Sequence, residues 1–152
     1  MKLALSLFLI AASLSAEIAL ACRCAAPAAR RAYADADAVA LVSIGETDAL
    51  PDGVLRARAD VLRVWKSALA KSVDIFTSNT DTCEFPMQKD DEALLYLRRN
   101  DNGNLETYNC WGNLPKSRSK IRIKWLNRHG KVHALKETSL PGSPAADPAR
   151  LH

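Results

Sequence analysis

The residues whose types and spacing could do most chemistry are Cys22, Arg23 and Cys24, directly behind Ala19-Leu20-Ala21. Small residues at 19 and 21 make that tripeptide a signal-peptidase site. Cleavage after Ala21 leaves a chain that begins with a cysteine carrying a free α-amine, with a second cysteine two positions on. A redox Cys-x-Cys would need a reactive thiolate and a partner base, and nothing nearby supplies one. A four-cysteine zinc site is disfavoured because an exported chain enters an oxidising compartment. Disulfides remain. Cys22, Cys24, Cys83 and Cys110 are the only cysteines, so two bridges are expected, with three possible connectivities. One residue separates Cys22 from Cys24, which strains a bridge between them. Each is therefore expected to reach one of the distant pair.

Two other groups have spacings that suggest chemistry. His129 and His133 are four apart, a helical metal-ligand spacing, but Gly130 lies between them and no carboxylate sits at a useful offset. They are expected to be exposed polar histidines. Asp90-Asp91-Glu92 resembles an acid–base pair, yet it precedes an apolar run and is expected to cap a loop. There is no Ser/His/Asp set and no phosphate-cradling glycine loop. An enzyme is not expected, and neither is a cofactor.

Residues 1–21 show a signal-peptide pattern: Lys2, an apolar run from Leu3 to Leu14, then small residues. That run is too short to span a bilayer, which takes ~20 apolar residues. Two other outcomes remain open. Cutting after Leu14-Ser15-Ala16 would leave Glu17–Ala21 as a prefix, and Ala19-Leu20-Ala21-Cys22 is a poor relative of a lipoprotein box that acylates the cysteine. A secreted or periplasmic location follows. Lys2 and Glu17 cancel, so the mature chain keeps the net charge of +4. Lys116, Arg118, Lys120, Arg122, Lys124, Arg128 and Lys131 fall between Cys110 and His133 with no acid among them. Such a run can bind nucleic acid or anionic lipid. A solvated face is the plainer reading, and no nucleic-acid partner is expected.

The elements that must hold these residues are mostly strands. Ala25–Ala34 suits a short helix, and Ala36–Ile44 a core strand. Pro51-Asp52-Gly53 is a turn. Val54–Lys66 alternates, then slips phase near Asp60-Val61, which predicts a bulge in one long bent strand that returns Leu62 and Val64 to the apolar side. Ser72–Thr77 and Glu92–Arg98 are further strands, and Asn102-Gly103 marks a hairpin to a returning strand over Leu105–Cys110. Trp65, Tyr96 and Phe76 are candidate core residues. Trp111 could cover a disulfide, and Trp125 could form part of a partner-facing surface. Over Lys116–Trp125 the alternation favours a strand, while Asn113-Leu114-Pro115 and the Ile121/Trp125 spacing favour a helix. Residues 136–152 read as a disordered tail. The fold class is thus mainly β: a small five-stranded closed or nearly closed barrel with short flanking helices, over a single domain, 22–135.

The order of pieces resembles the netrin-like domain, and within it the N-terminal domain of tissue inhibitors of metalloproteinases. The pieces are Cys22-Arg23-Cys24, Ala36-Asp37-Ala38-Val39, Val61–Lys66, Val73–Thr77 before Cys83, Ala93–Leu97 and the strand ending at Cys110. The resemblance implies an oligonucleotide-binding-like (OB-like) barrel, bridges Cys22–Cys83 and Cys24–Cys110, and a helix after Cys110. It implies a monomeric inhibitor whose Cys22 α-amine and carbonyl oxygen chelate the zinc of a partner protease. They would displace the water at the metal's open position. An α-amine pKa of roughly 7.7–8.0 makes the proton loss inexpensive near neutral pH. Arg23 would enter the specificity pocket, with Cys24, Ala25, Ala26, Asp81 and Thr82 as flanking contacts. The chain departs from the family at Arg23, where a small residue is usual, at Glu84, where glycine is frequent, and in lacking a third cysteine pair.

Overall fold

The structure, a computed structural model, describes residues 24–78 and 84–136. Helix α1 (Ala29–Asp35) leads into strands β1 (Ala38–Leu50), β2 (Val54–Lys66), β3 (Ser72–Ser78), β4 (Glu92–Arg99), β5 (Leu105–Glu106) and β6 (Leu114–Pro115), and helix α2 (Lys120–His129) follows. Strand β1 pairs with β2, β2 with β3, β3 with β5 in parallel, β5 with β4, and β4 again with β1. Five strands therefore close into a ring, and β6 attaches to the start of β4 outside that circuit.

Closure explains the residue pattern. Ala38, Ala40, Val42 and Ile44 of β1 and Ala93, Leu95 and Leu97 of β4 belong to the interior cluster, with Ala57, Ala59 and Ile75 from β2 and β3. The alternate residues Val39, Leu94 and Tyr96 form a second buried cluster with Ala32 of α1, Leu126 of α2 and Trp65. Strand β4 is buried on both faces, which is why Ala93–Leu97 reads as a continuous apolar run. Alanines at 38, 40, 57, 59 and 93 alternate with larger aliphatic residues inside, so that the side chains fill a small ring.

The long bend of β2 comes from two extra residues. Val39 pairs Lys66 while Ala40 pairs Val64, and Leu41 pairs Arg63 while Val42 pairs Val61. Trp65 and Leu62 are thus the inserted residues, each a bulge that re-aims its neighbours. The first sends Val64 inward and Trp65 outward under the helices. The second falls one residue later than the sequence suggested, so Val61 stays inside and Leu62 is left 49% exposed. A third bulge lies on β1 between Ile44 and Thr47, where a Cβ on Gly45 would come within 3.0 Å of the Arg58 carbonyl oxygen.

Several boundaries differ from expectation. Helix α1 begins at Ala29 rather than Ala25, after an extended stretch that includes Pro27. The hairpin at Asn102-Gly103 forms, with Gly103 at φ 80° and the Asn100 carboxamide oxygen accepting from the N–H groups of Asn102 and Asn104. The returning strand stops at Glu106, because Cys110 must turn toward Cys24 in a 3-10 turn over Asn109–Trp111. The 116–125 region is a 3-10 turn and then helix, starting at Lys120 and not at Asn113. Phe76 is only half-buried, on the outer face of the ring. Beyond α2 the chain returns along β2 and the loop after it: the N–H of His133 donates to Val64 O and that of Lys136 to Leu69 O. The bonded chain thus runs one residue past the expected boundary at 135, and 137–152 lie outside the described residues. Among the described residues no helix is long and apolar enough to cross a membrane.

Candidate functional site

The segment after Cys24 is mounted on the ring from three sides. A disulfide joins Cys24 to Cys110 across 86 positions of sequence. The Arg122 side chain of α2 donates from Nη2 to the Pro27 carbonyl oxygen. Gly112, at φ 100°, lets the chain turn beneath Pro27: a Cβ there would meet Ala32 Cβ at 3.2 Å and Pro27 Cγ at 3.4 Å. A side chain at this position would be strained by both the left-handed backbone and the contact.

Behind the mount is a hub built on Asn113. The outer edge of β4 pairs with β6 at Ala93 and Leu94 and with β5 at Arg98 and Arg99. Neither strand reaches Tyr96 between them. Two side chains fill the gap: Asn113 Oδ1 accepts the Tyr96 N–H at 2.7 Å, and Thr107 Oγ1 donates to Tyr96 O at 3.3 Å. Asn113 Nδ2 then donates to Thr107 Oγ1 and to Tyr108 O, both at 2.6 Å. The chain either side of Cys110 is thereby fastened to the ring.

Helix α1 is held at its C-terminal end, where the Lys66 ammonium donates to the carbonyls of Tyr33 and Ala34 at 2.8 and 3.0 Å. A cation on these orphan carbonyls is favourable. Tyr33 Oη donates to Trp65 O, and Trp65 Nε1 donates to Asn127 Oδ1 of α2, each at 2.9 Å. Both helices are thus tied to the bulged end of β2. Ala25 and Ala26 are exposed and, with Arg98, Trp111 and α1, border an open groove of about 530 Å³. The Arg98 guanidinium lies 4.4 Å from the Trp111 ring centre, a cation–π contact.

The structure divides the basic run. Arg122 turns inward, and its charge opposes the effect of burial on the Tyr96 phenol, whose pKa is raised chiefly by desolvation. Lys116 pairs with Glu92 at 2.5 Å. Lys120, Lys124 and Arg128 are exposed on α2 and make no ion pair among the described residues. Trp125 is half-buried, edge-on to Tyr33 at 5.9 Å and stacked on His129 at 4.6 Å. His129 Nδ1–H donates to the Trp125 carbonyl, and His133 serves the backbone bridge to Val64. No cluster of three or more His, Cys, Asp or Glu side chains able to hold a metal occurs among the described residues.

Of the residues singled out from the sequence, Cys24, Ala25 and Ala26 are brought to one end of the ring beside Cys110. Cys22, Arg23, Asp81, Thr82 and Cys83 lie outside the described residues. Asp90 and Asp91 do sit in a loop turn, where the N–H of Asp90 donates to Ile44 O and the N–H of Ile44 to Asp91 O. A cleft of about 200 Å³ near that turn, between Phe85, Ala93 and Pro115, is smaller than ordinary ligand pockets of roughly 300–1,000 Å³. The sequence placed Arg122 only in the basic run and Asn113 only at a helix start, and gave Gly112 no role. Their only signal was the Trp111-Gly112-Asn113 turn chemistry behind a cysteine, and the placement of Arg122 four residues before the buried Leu126. No family model matches the chain, and no curated protein matches it.

Proposed function

We propose that the ring is an OB-like, netrin-like barrel, and that the protein is secreted or periplasmic and inhibits a zinc metalloprotease through the α-amine and carbonyl of Cys22. The observation that carries the reading is the mount on residues 24–28: a disulfide, a guanidinium on a backbone carbonyl and a glycine-dependent close approach, all within a few residues of the candidate terminus. A ligand held rigid in its bound geometry loses less entropy on binding, and a chelate on a partner's metal has to be so held. The strand circuit β1-β2-β3-β5-β4 and the Cys24–Cys110 bridge support the barrel and an oxidising compartment. Arg23 suits a protease whose specificity pocket is acidic or open, since an unpaired cation is costly to bury.

The test is a single alanine added ahead of Cys22, assayed against a panel of zinc endopeptidases. Inhibition by the native terminus is expected to be abolished by the extension while the unfolding midpoint stays put. Retained inhibition sinks the chelation mechanism. If the native terminus inhibits none of the panel, the second reading takes its place: a netrin-like binding module without a protease target, for which the long cation at Arg23 already argues.

A further inference from the structure

We propose that the outer face of helix α2 docks on an anionic lipid surface, with Ile121 entering the headgroup–acyl boundary and Lys120, Lys124 and Arg128 lying on the phosphates. The face does not involve the Cys22 terminus, so this inference stands apart from protease binding. Residues 120, 124 and 128 are spaced to form one stripe along the helix, and all three are exposed without an ion pair among the described residues. Beside them stands Ile121, 83% exposed, the most exposed large apolar side chain of the described residues. The pattern continues past the helix in Lys131 and Val132, with Val132 52% exposed.

Charge complementarity selects a polyanion, and the isoleucine selects which one. A nucleic acid or sulfated polysaccharide would engage the cations but gains nothing from an aliphatic side chain held out among them. A bilayer interface rewards both, because anionic headgroups attract the basic stripe and the acyl boundary takes up an apolar group next to it. The other side of α2 is already spent on the ring and the Pro27 segment through Leu126, Ile123 and Arg122. The helix therefore docks as a rigid surface of the folded domain rather than by leaving it.

The experiment is co-sedimentation of the full secreted chain, its mass showing no acyl group, with vesicles of phosphatidylglycerol and phosphatidylcholine and with phosphatidylcholine alone. Binding is expected only to the anionic vesicles and weakens as salt is raised. Lys124→Ala with Arg128→Ala should lower affinity by roughly 30-fold, at about fivefold per cation, and Ile121→Ser by about tenfold. All three side chains are exposed, so the unfolding midpoints should match the parent, which separates lost docking from lost fold. Failure to bind anionic vesicles overturns the proposal. So does full affinity in Ile121→Ser, which would leave charge alone holding the stripe and remove the reason for choosing a bilayer over any other polyanion.

Discussion

Asn113→Ala is predicted to destabilise the fold by about 4–6 kcal/mol. Asn113 is 5% exposed and its carboxamide makes three bonds of 2.6–2.7 Å, to Tyr96 N–H, Thr107 Oγ1 and Tyr108 O. Each is worth about 1 kcal/mol net, and a buried donor left without a partner costs a further 1–3 kcal/mol. The Tyr96 N–H would be that donor, since β5 and β6 both stop short of it and the residue is itself buried. A domain of this size has a net stability of about 5–15 kcal/mol, so the loss is a large fraction of the whole. Urea unfolding at neutral pH with the disulfide intact should show a lower midpoint at an unchanged slope. Asn113→Asp keeps the acceptor but sets a second oxygen against Thr107 Oγ1 and the Tyr108 carbonyl, and should fare no better than alanine. A loss below about 1 kcal/mol in the alanine variant would refute the reasoning, because it would mean that water or a small backbone shift satisfies Tyr96.

Gly112→Ala should cost about 2 kcal/mol, from the left-handed backbone and the crowding of Ala32 and Pro27. Thermal unfolding should fall by roughly 10 °C, and an unchanged melt would show that Pro27 is not seated as described. Burial raises the Tyr96 phenol pKa above its ordinary value, with the Arg122 guanidinium opposing it. The unfolded phenol ionises near 10. Above that pH the unfolded chain has released a proton that the folded chain still holds, so stability falls as pH rises through the folded pKa. Tyr96→Phe should flatten this alkaline loss and remove one phenolate step from the absorbance titration. An unaltered alkaline limb in Tyr96→Phe would contradict it.

Sequence periodicity was enough to place β2, β3 and β4 to within a residue and to show that β2 bends, whereas β1, expected to end at Ile44, runs six residues further to Leu50. The reason is local: alternation, turn residues and the Asn102-Gly103 hairpin depend on neighbours a few positions away. The same locality explains the errors. Whether the slip in Val54–Lys66 falls at Val61 or Leu62 depends on which residue of β1 lies opposite, and Leu62 is exposed only because Val42 pairs with Val61. Phe76 looks like core in its own strand, but its side of the ring receives no helix. Lys116–Trp125 satisfies two periods at once, and only the outer face of β4, with Leu94 and Tyr96 awaiting cover, decides for a helix.

The sequence on its own supplies the inventory: four cysteines, strands enough for a closed sheet, and a basic run after Cys110. Tertiary structure alone decided which member of a run of like residues does which job. Arg122 holds the Pro27 carbonyl while Lys124 and Arg128 face outward, and Asn113 completes a strand edge instead of starting a helix. Residue type sets what a side chain can bond, but the partner is supplied by chain that is distant in sequence. Arg122 and Pro27 are 95 residues apart, and no local pattern records a contact of that range.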